Sequence, residues 1–340
     1  METERIGNYE TKKSINLHRG GGSSSTAFTM AEILLSLTII GVVAAITLPS
    51  LTGNINERTW NTQRKALYAR FSQAISLMPA LNGYGSIAED ESGSITEDTV
   101  AETFVTSGLS KVLKINNICD GEHLEDCGIP NQLTTLDGSK IDFPATFRDL
   151  NPANVSYNGV EGLDNTSVSY SAINSQAAAF ETANGESIAI YYNPNCSAYM
   201  AESFYIYMQK KVCANFIYDL NGSKGPNTVG KDIGVMSVFY PTDSVVVAPM
   251  PNLNDATTSA VPDNEISSAC TAQDADYRLP SLEEISSITI NKSIMGTLPS
   301  ERYWTSTYNT SGKRLYLHYT FMRTAAWENV SSARVRCVKR

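Results

Sequence analysis

The sequence has little that could carry out chemistry. Its three histidines, His18, His123 and His318, lie far apart, and none of its six cysteines forms a CxxC pair, so the ligand spacing of a zinc site is absent. There is no GxSxG elbow, no HExxH pair and no Walker loop. The chain is therefore expected not to be an enzyme and to need no organic cofactor. Positive charge is also scarce: 26 Lys and Arg stand against 35 Asp and Glu, a formal net charge of -9. Residues 1–27 carry Arg5, Lys12, Lys13 and Arg19 against Glu2, Glu4 and Glu10, a net +1, which leaves -10 downstream. Such a surface repels phosphates, and no direct nucleic-acid partner is expected.

What the chain does have is apolar bulk and one long uncharged run. Hydrophobic residues make up 42% and charged residues 18% of 340 positions, enough to bury a core and to form a small anchor plus two folded units. Residues 33–48, ILLSLTIIGVVAAITL, contain no charge. Extended back to Phe28, the run would make a helix of ~31 Å, matching the ~30 Å hydrocarbon layer of a membrane. A removable secretory signal has a shorter apolar core, with its small-residue cleavage site after it. Here the small residues, GGGSSSTA, come first. Glu32 lies inside the apolar block, where a carboxylate costs about 2.5–3.5 kcal/mol at mid-helix, so it needs a partner or a role. In a simple anchor it would snorkel to the headgroups.

The segment A-FTMAEILLSLTIIGVVAAITLP resembles the N-terminal signature of type IV prepilins and type II secretion pseudopilins. The resemblance implies a prepilin peptidase as partner, a cut between Ala27 and Phe28, and methylation of the new amine on Phe28. Glu32 then becomes the fifth mature residue, acidic in that family, and Gly41 and Pro49 match its helix-loosening positions. Ala27 departs from the usual glycine, and the leader, residues 1–27, is long. Cleavage would place an ammonium on Phe28 that a neighbour's Glu32 can pair with in a medium of low dielectric, setting the register of one subunit on the next. Lys12, Lys13 and Arg19 before the run balance Arg58, Arg64 and Lys65 after it, so basic flanks do not orient it. The resemblance and the cysteines put the C-terminal side outside: inner membrane before assembly, then an extracellular filament or the cell surface.

After Pro49 the pattern becomes amphipathic. Leu67, Phe71, Ala74, Ile75 and Met78 recur at helical period, and Pro79 marks an end. Residues 28–79 are thus expected to form a membrane and spine helix. Residues 80–110 read as loop and short helix, and SKIDF, ESIAIYY, CANFIYDL and VMSVFY read as strands of an antiparallel sheet. Together, residues 80–250 are expected, from the resemblance, to make a pilin-like head. Asn221-Gly222 marks a turn in a stretch, residues 219–232, similar to loops of pilin-like heads. Asp219, Asn221 and Asp232 there have oxygens suited to calcium. A long turn held by side-chain to backbone hydrogen bonds is the other reading.

Residues 251–265 have linker composition. Residues 266–340, with Cys270, YRLPSLEEISSI, YWTST and VRCVKR, resemble the C-type-lectin-like modules of bacterial surface proteins. Within them, Ser281 and Glu284 have capping-box spacing. The even cysteine count fits disulfides in an oxidising compartment. Of the 15 connectivities open to six cysteines, proximity favours Cys119 with Cys127, Cys196 with Cys213, and Cys270 with Cys337. The expected fold class is α+β: a long N-terminal spine helix packed on an antiparallel sheet, plus a C-terminal C-type-lectin-like α+β module. The expected function is a structural subunit of a type IV pilus or related filament, assembled with other pilin subunits through the hydrophobic helix. A minor role stays open because so large a head is bulky for dense repetition. The alternative is a pilus-borne adhesin that grips a glycan or protein receptor through residues 266–340.

Overall fold

Several strand segments are apolar at almost every position because the sheet they form is covered on both faces. The computed structural model describes residues 29–82, 100–143, 177–192, 211–240, 244–253, 260–272, 275–296, 302–308, 312–318, 323–326 and 332–339. By contacts the chain divides into two units, Met1–Ile55 and Asn56–Arg340. Strand β1 (Ile115–Asp120) is followed by a small separate hairpin, β2 (Gln132–Thr134) and β3 (Lys140–Asp142). Next come β4 (Ala177–Thr182), β5 (Ser187–Tyr192), β6 (Lys211–Asp219), β7 (Ile233–Tyr240) and β8 (Ser244–Val247). The main sheet is antiparallel, in the order β1-β4-β5-β6-β7-β8.

In the second unit, the later part of helix α1 (Met30–Asn82) covers one face of this sheet. Its Leu67, Phe71, Ala74, Ile75 and Met78 are buried with Phe180, Ile190, Phe216 and Val238. The Phe71 ring meets Phe216 edge-on at 5.2 Å. Helix α2 (Val100–Thr103) and the turns after it extend this layer, and Phe104 stacks on Tyr192 at 3.9 Å. Burying each large apolar side chain contributes roughly 1.5–3 kcal/mol. Arg70 forms an ion pair with Glu186 in the β4–β5 turn, and the Thr182 hydroxyl donates to the same carboxylate.

The C-terminal residues cover the other face. A single turn, α3 (Ile266–Ala269), leads to α4 (Leu282–Ile290) and α5 (Lys292–Met295). Helix α4 starts at Ser281 in a complete capping box: Glu284 N donates to Ser281 Oγ at 3.2 Å and Ser281 N to Glu284 Oε2 at 2.7 Å. Arg278 grips the same Glu284 with both guanidinium nitrogens at 2.7 Å. Ile288, Ile294 and Met295 are buried with Ala189, Ile217 and Val235, the residues that alternate with the first-face set.

Polar groups are buried in this layer too. Asn215 on β6 and Asn291 after α4 exchange amide hydrogen bonds at 2.9 and 3.0 Å. Ser237 Oγ donates to Asn215 Oδ1 at 2.9 Å and lies 2.7 Å from Ser287 Oγ, while Asn291 Nδ2 also donates to Ser287 O at 2.8 Å. Shorter pairings complete the segment: β9 (Val261–Pro262) with β14 (Ser332–Ala333), and β10 (Tyr277–Arg278) with β15 (Val338–Lys339). Strands β11 (Arg302–Tyr308), β12 (Arg314–His318) and β13 (Arg323–Ala326) form a three-stranded sheet.

These observations correct the expected fold class. The chain does not form a long spine helix laid on a sheet with a separate C-type-lectin-like module. After α1, sheet outweighs helix among the described residues, and the longest later helix, α4, has nine residues. The helical run Met30–Asn82 is shared between two units, with the break after Ile55, and is not a spine within one. The C-terminal residues belong to the same unit as the main sheet. Its second face offers apolar side chains and two polar anchors, Asn215 and Ser237, that bond to each other and to Asn291 and Ser287.

Candidate functional site

Ala27 and Phe28, at the expected cleavage position, lie outside the described residues. Helix α1 begins just beyond them with a reciprocal pair of contacts. Thr29 N and Oγ1 donate to Glu32 Oε2 at 2.9 and 3.0 Å, and Glu32 N donates to Thr29 Oγ1 at 3.3 Å. This is the capping-box arrangement, Thr-x-x-Glu, and the carboxylate also suits the positive end of the helix dipole. Sequence reasoning gave Glu32 an intermolecular role and missed this local one, although the threonine three residues upstream was the signal.

From Met30 to Val43 the helix exposes Leu34, Leu35, Leu37, Ile39, Ile40 and Val42, with Ile40 64% accessible. A Cβ added at Gly41 would meet nothing within 4 Å. Pro49 lies within the helical run, but its side chain and those of residues 46–48 are outside what is described. Among the described residues no helix is long and apolar enough to cross a membrane.

The loop between β6 and β7 brings Asp219, Asn221 and Asp232 together. The ladder places Asp219 opposite Ile233, and Leu220 N donates to Asp232 O at 3.0 Å. Gly222, at φ +65°, makes the tight turn after Asn221. Asp232, fully buried, accepts backbone N–H bonds from Asn227 and Thr228, each at 2.8 Å. Asp219 is 2% exposed, and its Oδ1 accepts the Asn221 N–H at 3.1 Å. Burial, with Asp232 adding to it, pushes the Asp219 carboxyl up to about 8. Burial likewise pushes the neighbouring Tyr218 hydroxyl up to about 12, against the pull of Arg64. Tyr218 fits only because Gly234 stands opposite it, where a Cβ would strike the ring. Arg64 on α1 donates to Lys231 O at 2.7 Å and Gly230 O at 3.3 Å, tying the loop to the helix.

Disulfides join Cys119 to Cys127 and Cys270 to Cys337. Cys213 is also disulfide-bonded, and Cys196 lies outside the described residues. Trp304, within the residues 266–340 that the adhesin alternative gives to a glycan or protein receptor, is fully buried and donates its indole N–H to Val261 O at 2.9 Å. Among the described residues no group of three or more His, Cys, Asp and Glu side chains is gathered as a metal cluster. No protein-family model, no curated protein and no solved structure matches the chain.

Proposed function

We propose that the chain is a structural subunit of a type IV pilus or secretion pseudopilus filament. A prepilin peptidase cuts it between Ala27 and Phe28, the inner membrane holds it before assembly, and other subunits take it up through the start of α1. The observation that carries this reading is the apolar helical surface Met30–Val43, which the described chain leaves uncovered. Each large apolar side chain left in water forfeits roughly 1.5–3 kcal/mol. Lipid and then neighbouring helices provide the cover.

Glu32 has two tasks in this reading. Oε2 caps its own helix through Thr29, and Oε1 takes the Phe28 ammonium of the adjacent subunit. Glu32→Gln separates the two, since glutamine serves a capping box but carries no charge. The mature chain is expected to start at methylated Phe28 by mass spectrometry. Glu32→Gln is expected to be cleaved, to reach the membrane fraction and to be missing from sheared filaments. Normal incorporation of that variant defeats the assembly role of Glu32, and a mature chain starting anywhere else defeats the processing step.

A further inference from the structure

The chain is acidic, with a formal net charge of -9, yet one groove on its second unit is basic. The groove lies between the late turns of α1, the turn Leu109–Lys111 and the β4–β5 turn, with a volume of about 420 Å³. Arg70, Lys111 and Lys114 line it, and among the described residues no acidic side chain does. Local spacing places the two lysines. Val112 N and Leu113 N both donate to Leu109 O, at 3.0 and 2.8 Å, in a tight turn that sends Leu109 and Leu113 into the core. Lys111 and Lys114 stay exposed beside the groove, and Lys114 O accepts the Ala183 N–H at 2.9 Å, which holds the two turns together. Arg70 is committed to Glu186. Neither lysine makes an ion pair or a side-chain hydrogen bond among the described residues.

Two unbalanced ammonium groups side by side on an acidic molecule attract an anion. Phosphates are commonly cradled by backbone N–H groups at a helix N-terminus or a nest. The cationic donors here are instead side chains, and they border an apolar wall: Leu77 is 46% exposed on it, and Val112 is half-buried. Cations around an apolar wall suit carboxylates carried on a chain that also bears an apolar residue. We propose that this groove docks an acidic peptide segment of a partner protein, its carboxylates on Lys111 and Lys114 and an apolar side chain against Leu77 and Val112. Ammonium groups on flexible stems take carboxylates without a fixed geometry, so the groove selects composition more than one exact sequence. Arg70, pinned by Glu186, shapes the end of the groove. The inference does not rest on the filament reading.

The test uses the full chain, purified in detergent, and three fluorescein-labelled peptides: Glu-Glu-Leu-Glu-Glu, Glu-Glu-Gly-Glu-Glu and Gln-Gln-Leu-Gln-Gln. By fluorescence anisotropy the first is expected to bind tightest. The glycine peptide is expected to bind about threefold more weakly, for want of an apolar contact, and the glutamine peptide at least about tenfold more weakly. Raising NaCl from about 20 to about 200 mM is expected to weaken the first at least about threefold. Lys111→Gln and Lys114→Gln together should weaken it at least about fivefold, as the loss of two exposed ion pairs implies. Lys140→Gln, exposed on β3 outside the groove, should change nothing. Leu77→Ser should abolish the preference for leucine over glycine and keep the salt dependence. Equal binding of the glutamine or glycine peptide, an equal loss in Lys140→Gln, or unchanged binding in the double lysine variant overturns the site. Oligothymidylate bound as tightly as the leucine peptide also overturns it, since that marks a general polyanion surface.

Discussion

The two faces of the main sheet are covered by different chemistry. Against α1, contact is mainly apolar: Leu67, Phe71 and Ile75 meet Phe180, Phe216 and Val238. Against α4, apolar contact is combined with a buried set of amides and hydroxyls, Asn215, Ser237, Ser287 and Asn291, each bonded to another member. Apolar packing supplies free energy but tolerates sliding. A satisfied polar set adds less net free energy and fixes one alignment, because any other leaves buried groups unpaired. The first face is therefore the stronger attachment and the second the more specific one.

Three tests sharpen or break that contrast. Phe71→Ala should have the largest effect, a loss of about 3–5 kcal/mol in denaturant unfolding, and a loss below about 1 kcal/mol would mean that α1 is not the main cover of its face. Asn291→Ala should cost about 1–3 kcal/mol by stranding the Asn215 amide. Combining it with Asn215→Ala should show a coupling of at least about 0.5 kcal/mol in a double-mutant cycle; additive losses would remove the claim of specificity. Ser281→Ala should cost about 1 kcal/mol by opening the capping box of α4. A neutral result in the same unfolding assay would show that Arg278 alone holds Glu284 in place.

The parts of this fold legible in sequence were those with a period. The stripe Leu67, Phe71, Ala74, Ile75 and Met78 is buried as its spacing implied, and ESIAIYY, CANFIYDL and VMSVFY became central strands. SKIDF is a strand, but in the small hairpin with β2, since propensity says nothing about partner. INNICD and AAAFET, strands β1 and β4, were not read: one is polar and lies at the sheet edge, the other is rich in alanine, which carries little strand signal. The C-terminal layer was misjudged because what attaches it, Asn215 to Asn291, joins residues 76 positions apart and shows no local pattern. At the β6–β7 loop, acceptor chemistry singles out Asp219 and Asn221 in the sequence, and the structure buries an unpaired oxygen of each. Asp232 anchors the turn through backbone N–H groups, and Asn227 carries no sequence signal because only its backbone conformation and its buried oxygen set it apart.

Arg64 and Arg70 also have a mechanical consequence. Tension applied along α1 reaches the sheet as shear across an apolar interface, which resists sliding weakly. Arg64 transfers load to the carbonyls of Gly230 and Lys231, and Arg70 transfers it to the carboxylate of Glu186. Both arginines grip turns at the same end of the main sheet, because Ser187 after the β4–β5 turn pairs with Asp219 before the β6–β7 loop. A pull on the helix is thus shared between the apolar interface and two polar contacts that enter the sheet through neighbouring turns.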